Sequence, residues 1–157
     1  MSNYSNLITK EGWDALNAEM EALWSERKQV AEAVGEAAAM GDRSENAEYI
    51  YGRKKLRELD GRIGYIHRRF KVLKVAAFEN IDQSKVFFSA YVKFKDQTGR
   101  PMEFQLVGTD EADIKKKKLS VESPIGKALM DKKIGDTVEV DAPVGKKIFT
   151  ILAITYK

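Results

Sequence analysis

Between residues 13 and 37 the apolar positions recur in steps of three and four: Trp13, Leu16, Met20, Leu23, Val30, Val34 and Ala37. That is the period of one face of a helix. Arg27 falls in the same series, where the stem of a long side chain can lie along an apolar seam. Thr9 suits the N-cap of this helix, and Gly41 supplies a stop signal at its end. The expected helix, 10–40, would be roughly 45 Å long at 1.5 Å per residue. A second series has the same steps: Tyr49, Gly52, Leu56, Leu59, Ile63, Ile66, Phe70 and Leu73. Its small members, Ala47 and Gly52, are expected opposite Ala37 and Ala38, letting the two helices approach closely. The pattern predicts an antiparallel two-helix coiled coil over 9–75, with residues 41–46 at its tip.

From Ala76 the period changes to two. Val86, Phe88, Ala90, Val92 and Phe94 alternate with Phe87, Ser89, Tyr91, Lys93 and Lys95. Asp96-Gln97-Thr98-Gly99-Arg100 reads as a hairpin turn, with Met102, Phe104 and Leu106 on the return strand. A short strand is expected at 119–121. Ser123-Pro124 reads as an N-cap and first-turn pair opening a short helix over 125–130. Two more strands, 137–140 and 147–156, flank a turn at 142–145. The prediction is an α+β chain of two domains: a helical hairpin at 1–77 and a compact α+β domain at 78–157.

Composition narrows the chemistry. Cysteine is absent, which excludes disulfides, thiolate catalysis and cysteine-zinc sites. His67 is the single histidine, too few for a histidine metal site or catalytic triad within one chain. No apolar run approaches membrane-spanning length, and residues 1–10 lack the basic-then-apolar order of a signal peptide. The expected location is cytoplasmic, with no membrane partner. The net charge of +3 conceals an asymmetry. Acidic residues outnumber Lys10, Arg27 and Lys28 up to Asp42. From Arg43 to Lys74 the balance reverses. Opposite signs on neighbouring helices suit charge matching across an antiparallel seam. The basic surplus on the second helix leaves room for a polyanion. The run Lys115 to Lys118 is expected to be a solvated loop, and Trp13 and Trp24 to pack at the base of the coiled coil. Tyr49 or Tyr51 could stack on a base, with packing favoured for Tyr49, which lies on the seam.

The segment Gly41-Asp42-Arg43-Ser44-Glu45-Asn46 admits two readings. An Asp followed three residues later by Glu is a capping box, with Asp42 as N-cap and Ser44 as an alternative cap. The other reading starts from position. The tip is the farthest point of the hairpin from its own core, and no internal partner is available there for two carboxylates. Mg²⁺ takes one or two carboxylates and completes its shell with water and phosphate. The tip would then be half of a site, with a partner supplying further carboxylates, a first metal and a phosphodiester for two-metal phosphoryl transfer.

Gly41-Asp42-Arg43-Ser44-Glu45-Asn46-Ala47-Glu48-Tyr49 resembles the tip signature of the bacterial Gre transcript cleavage factors. Arg53-Lys54-Lys55-Leu56-Arg57-Glu58-Leu59-Asp60 and Lys85-Val86-Phe87-Phe88 are similar to the GreB branch of that family rather than GreA. Ser123-Pro124-Ile125, with Ala128-Leu129 and Gly135-Asp136, resembles the family's Ser-Pro helix segment. The resemblance implies an N-terminal coiled coil followed by an FKBP-like α+β domain. It also implies an accessory factor rather than a free-standing enzyme. Such a factor enters the secondary channel of bacterial RNA polymerase and stimulates the polymerase's own cleavage of backtracked RNA.

On that basis Asp42 would help bind a Mg²⁺ shared with the polymerase, and only in that complex. Glu45 would orient or deprotonate the attacking water, and Ser44 would assist in positioning. Arg43, Arg53, Lys54, Lys55 and Arg57 would form a basic face for the RNA 3′ segment. Glu122, Ser123, Pro124 and Ile125 would dock at the channel rim. No cofactor is expected in the free protein, which is expected to be a monomer. Two departures stand out. Glu122 replaces the Asp common before Ser-Pro in GreB, and Gly126-Lys127 replaces an Ala-Arg pair, where Lys is no equivalent of Arg at a bidentate contact. The rival expectations are a secondary-channel regulator that inhibits polymerase without cleavage, and an FKBP-like prolyl isomerase or chaperone.

Overall fold

The computed structural model describes residues 5–41, 45–77 and 82–157. They form β1 (Leu7–Ile8), α1 (Lys10–Ala39), α2 (Ala47–Phe70), β2 (Lys74–Val75), β3 (Tyr91–Lys95), β4 (Pro101–Val107), β5 (Lys118–Ser120), α3 (Pro124–Leu129), β6 (Thr137–Ala142) and β7 (Gly145–Thr155). The chain divides into two compact units, Trp13–Leu73 and Met1–Gly12 with Lys74–Lys157. The short parallel pair β1–β2 joins Leu7 to Lys74 and Ile8 to Val75. The helical unit thus ends at Leu73 rather than at 77, and residues 1–12, expected with the hairpin, belong to the sheet unit.

In the helical unit the cross-helix pairs run in opposite directions, which makes α1 and α2 antiparallel. Trp13 meets Phe70 with ring centroids 4.9 Å apart. Glu19 pairs with Arg62 at 2.6 Å, Glu26 with Lys55 at 3.5 Å and Arg27 with Asp60 at 2.5 Å. The expected seam is the buried one: Leu16, Ala37, Leu59, Ile63, Ile66 and Leu73 are all buried. Each fully buried aliphatic side chain contributes about 1.5–3 kcal/mol. The hydrogen bond from Arg62 holds the Glu19 carboxyl below its ordinary value. Both side chains remain partly in solvent, so this pair contributes about 0–1 kcal/mol. Trp24 departs from expectation. It is exposed, with the Arg27 guanidinium 5.9 Å from its ring centroid, rather than packed at the base.

The sheet unit carries five strands in the order β5-β4-β3-β7-β6, antiparallel except for β4–β5. Val86, Phe88, Ala90, Val92 and Phe94 are all buried, as their alternation predicts. The strand itself begins only at Tyr91, because Ser89 adopts a left-handed backbone (φ 70°) and breaks it. Phe94 and Phe149 meet edge to face, centroids 5.3 Å apart, in a core closed by Leu106, Leu129, Val138 and Ile151. The Tyr156 hydroxyl donates to Lys85 O (2.6 Å) and accepts from Phe87 N (2.9 Å), fastening the C-terminus to the segment before β3. The hairpin turn at Asp96 forms as expected, its side chain accepting from the Thr98 and Arg100 amides.

Thr9 is the predicted cap of α1, its hydroxyl accepting from Gly12 N at 3.0 Å. In a capping box a Glu at Gly12's position would accept from the cap residue's own N–H. Here Glu111 does so from 102 positions away, accepting from Thr9 N at 2.7 Å and from the Thr9 hydroxyl. A Cβ at Gly12 would overlap that carboxylate.

Glycine placement gives a paired prediction. A Cβ at Gly52 would overlap the Val34 side chain, whereas a Cβ at Gly61 meets open space. Gly61→Ala should raise stability by about 0.5–1 kcal/mol through helix propensity. Gly52→Ala should lower it by about 1–3 kcal/mol from overpacking, less the same propensity gain. Urea unfolding of the two variants checks the opposite signs.

Candidate functional site

At the end of the hairpin, α2 begins at Ala47 and its N-cap is Asn46. The Asn46 Oδ1 accepts from Tyr49 N at 3.1 Å, and its Nδ2 donates to Ala37 O, near the end of α1, at 2.9 Å. This corrects the capping-box reading. The helix starts later than that reading required, and Glu45 precedes the cap instead of sitting in the first turn. Its side chain is exposed, as is that of Glu48 within the first turn. Asp42, Arg43 and Ser44 lie outside the described residues. Among the described residues no group of three or more His, Asp or Glu side chains is placed to hold a metal ion. Glu45 thus lies outside the cap and is exposed, with no ion-pair partner among the described residues, and a carboxylate is the ligand type that Mg²⁺ takes.

The basic residues beyond the tip divide in two. Arg53, Lys54 and Arg57 are exposed. Lys55 is half-buried and paired with Glu26 across the seam, so part of the charge asymmetry is the structural matching that the sequence suggested. The Arg53 guanidinium lies 5.9 Å from the centroid of the half-buried Tyr49 ring.

In the sheet unit, Ser123 caps α3 as predicted. Its hydroxyl accepts from Gly126 N at 3.0 Å and donates to Ser120 O at 2.7 Å. Pro124 occupies the first turn, and Ile125 packs partly against the core. Glu122, Ser123, Pro124 and Ile125 therefore share one tight turn. Gly126 is required there, because a Cβ would overlap the Ser120 carbonyl. Glu122 Oε2 lies 3.9 Å from Lys127 Nζ, while Oε1 is buried with no hydrogen-bond partner among the described residues. A buried carboxylate oxygen left in this way is costly until a donor reaches it.

Two family models cover nearly all of the chain. The model for transcription elongation factor, N-terminal, matches residues 6–75, and that for transcription elongation factor, GreA/GreB, C-term, matches residues 81–156. The chain belongs to the GreA/GreB family. It is 48% identical to transcription elongation factor GreB of Yersinia pestis over 154 residues, 98% of this chain and 90% of that protein. It is 44% identical to transcription elongation factor GreB of Haemophilus ducreyi over 153 residues, 97% of this chain and 94% of that one. The expected resemblance to the GreB branch is borne out by these relatives. Among solved structures, GreA factor homolog 1 of Thermus thermophilus aligns over 96% of this chain and 98% of its own, with 22% identity and a TM-score of 0.44.

For a GreA/GreB factor the residue that sequence reasoning passed over is Asn46. The available signal was an Asn, among the best N-cap residues, immediately before the second apolar series. The Asp42–Glu45 spacing upstream offers a competing cap signal. Asn46→Ala should destabilise the helical unit by about 0.5–2 kcal/mol through the lost cap. Asn46→Asp keeps the acceptor and loses only the bond to Ala37 O, so it should cost less, about 0.5–1.5 kcal/mol. Thermal melts of both variants test this ranking.

Proposed function

We propose that this elongation factor inserts its coiled coil into the secondary channel of RNA polymerase and stimulates the polymerase's own endonucleolytic cleavage of backtracked RNA, rescuing arrested complexes. The observation that carries this reading is the tip: Asn46 closes both helix ends, and Glu45 is left as an exposed carboxylate outside the cap. The chain is an accessory factor. It contributes side chains to a site that belongs to the polymerase and does not hydrolyse RNA alone.

In this reading Asp42 and Glu45 reach the polymerase's catalytic centre, where Asp42 would help hold a shared Mg²⁺. Bound there, the ion supplies Lewis-acid stabilisation and a more acidic water. Glu45 accepts a hydrogen bond from the attacking water and orients it, and can take its proton. Ser44 assists in positioning that water. Arg43, Arg53, Lys54 and Arg57, with Lys55 at the edge of the group, neutralise phosphates of the RNA 3′ segment. The turn at Glu122-Ser123-Pro124-Ile125 docks on the rim of the channel, where a donor from the polymerase would satisfy the orphaned Glu122 Oε1. The factor acts in the cytoplasm as a monomer, with no cofactor of its own.

The test is cleavage of end-labelled RNA in backtracked elongation complexes. Glu45→Gln should reduce stimulated cleavage roughly 10²-fold or more, the scale of a lost acid–base contribution, and Asp42→Asn should abolish stimulation by weakening the hold on the shared ion, while polymerase binding stays close to wild type in both. The isolated chain should bind Mg²⁺ only weakly in calorimetry. Normal cleavage by both variants would reduce the tip to a structural turn. Inhibited elongation without cleavage would make the chain a channel regulator.

A further inference from the structure

We propose that Tyr51 is an RNA-positioning residue, a stacking surface for an unpaired base of the extruded 3′ segment. The inference rests on the cleavage-factor reading and adds a base contact to it. Tyr51 is 70% exposed. A single exposed apolar side chain is ordinary by itself. What distinguishes Tyr51 is the state of the other rings. Trp13 and Phe70 pack on each other. Trp24, Tyr49 and Tyr65 each have a guanidinium within 6 Å of the ring centroid, from Arg27, Arg53 and Arg62 respectively. Among the described Phe, Tyr and Trp side chains of the helical unit, Tyr51 alone has neither a cation nor another ring on it.

Its position supplies the second half of the argument. Tyr51 lies five residues beyond the Asn46 cap, about 7 Å along the helix axis, at the end of the hairpin that carries Glu45. Exposed Lys54 and half-buried Lys55, one turn on, share its face of the helix, exposed Arg53 and Arg57 follow on the flanks, and Ile50, 53% exposed, stands beside it. Proteins that hold single-stranded nucleic acid without reading sequence combine a basic track for the backbone with aromatic faces for the bases. Extruded RNA presents both partners, and any of its bases offers a π-face. Stacking at Tyr51 would hold the strand in register while the cations neutralise its phosphates.

The test uses the full chain with backtracked polymerase complexes whose extruded 3′ nucleotides are either normal or abasic. On normal RNA, Tyr51→Ala should lower the stimulated cleavage rate about tenfold or more, the scale of one lost base–aromatic stack. Tyr51→Phe, which keeps the π-face, should restore the wild-type rate. On abasic RNA the wild type and Tyr51→Ala should converge, since the partner on the other side of the contact is gone. A merely structural role for Tyr51 would leave the same deficit on both RNAs. Equal wild-type and Tyr51→Ala rates on normal RNA, or an undiminished deficit on abasic RNA, would overturn the proposal and leave the cleavage-factor reading standing. A wild-type chain that fails to stimulate cleavage of normal RNA would overturn both.

Discussion

Where two antiparallel helices meet at a short connection, the first ends in carbonyls and the second begins with N–H groups that have no intrahelical partner. Asn46 serves one of each: its carbonyl oxygen takes Tyr49 N and its amide nitrogen reaches Ala37 O. Glutamate or aspartate could cap but could not donate to Ala37 when ionised, and serine has a shorter reach. The amide thus performs the local structural task that the neighbouring carboxylates would otherwise perform. Glu45 is left outside the helix and exposed. On the proposed function, that division of labour lets the acidic tip offer its charge to the polymerase.

The rest of the hairpin keeps its two helices close while leaving most of the basic residues just beyond the tip exposed. Gly52 lies against Val34 with no room for a Cβ, and Ala37 is buried opposite the start of α2. Farther along, Glu19, Glu26 and Arg27 pair with Arg62, Lys55 and Asp60 across the seam. These pairs fix register more than they stabilise, since exposed ion pairs contribute little. Arg53, Lys54 and Arg57 remain exposed. The sheet unit uses a comparable device at its own helix end, where Glu111 completes the cap at Thr9 from a distant part of the sequence.

Both helices were legible because a three-four period over many residues leaves little choice of face. The alternation from Val86 to Phe94 was legible as burial but not as strand. Inward and outward positions follow the sequence, whereas the left-handed turn at Ser89 is imposed by the bond from Ser89 N to Leu106 O and the contacts around it. The cap of α2 was not legible because Asp42, Ser44 and Asn46 are all good cap residues, and the choice depends on Ala37 O, a tertiary partner that local spacing cannot reveal. For the same reason no pattern could show that Glu111 caps α1, that Gly126 must lack a side chain beneath the Ser120 carbonyl, or that one Glu122 oxygen is buried without a donor. Residue types carried the candidate chemistry at the tip and at the Ser-Pro turn. The three-dimensional partners decided which side chains are structural and which are free to act.

On the proposed function, the tip completes a metal site that belongs to the polymerase. The most direct measurement is a Mg²⁺ titration of RNA cleavage in a backtracked elongation complex, with the wild-type chain, with its Asp42→Asn variant and with no factor. If the tip shares the ion, the wild type should lower the Mg²⁺ concentration at half-maximal cleavage, and Asp42→Asn should return it toward the factor-free value. An unchanged Mg²⁺ dependence with full stimulation by the wild type would contradict the account.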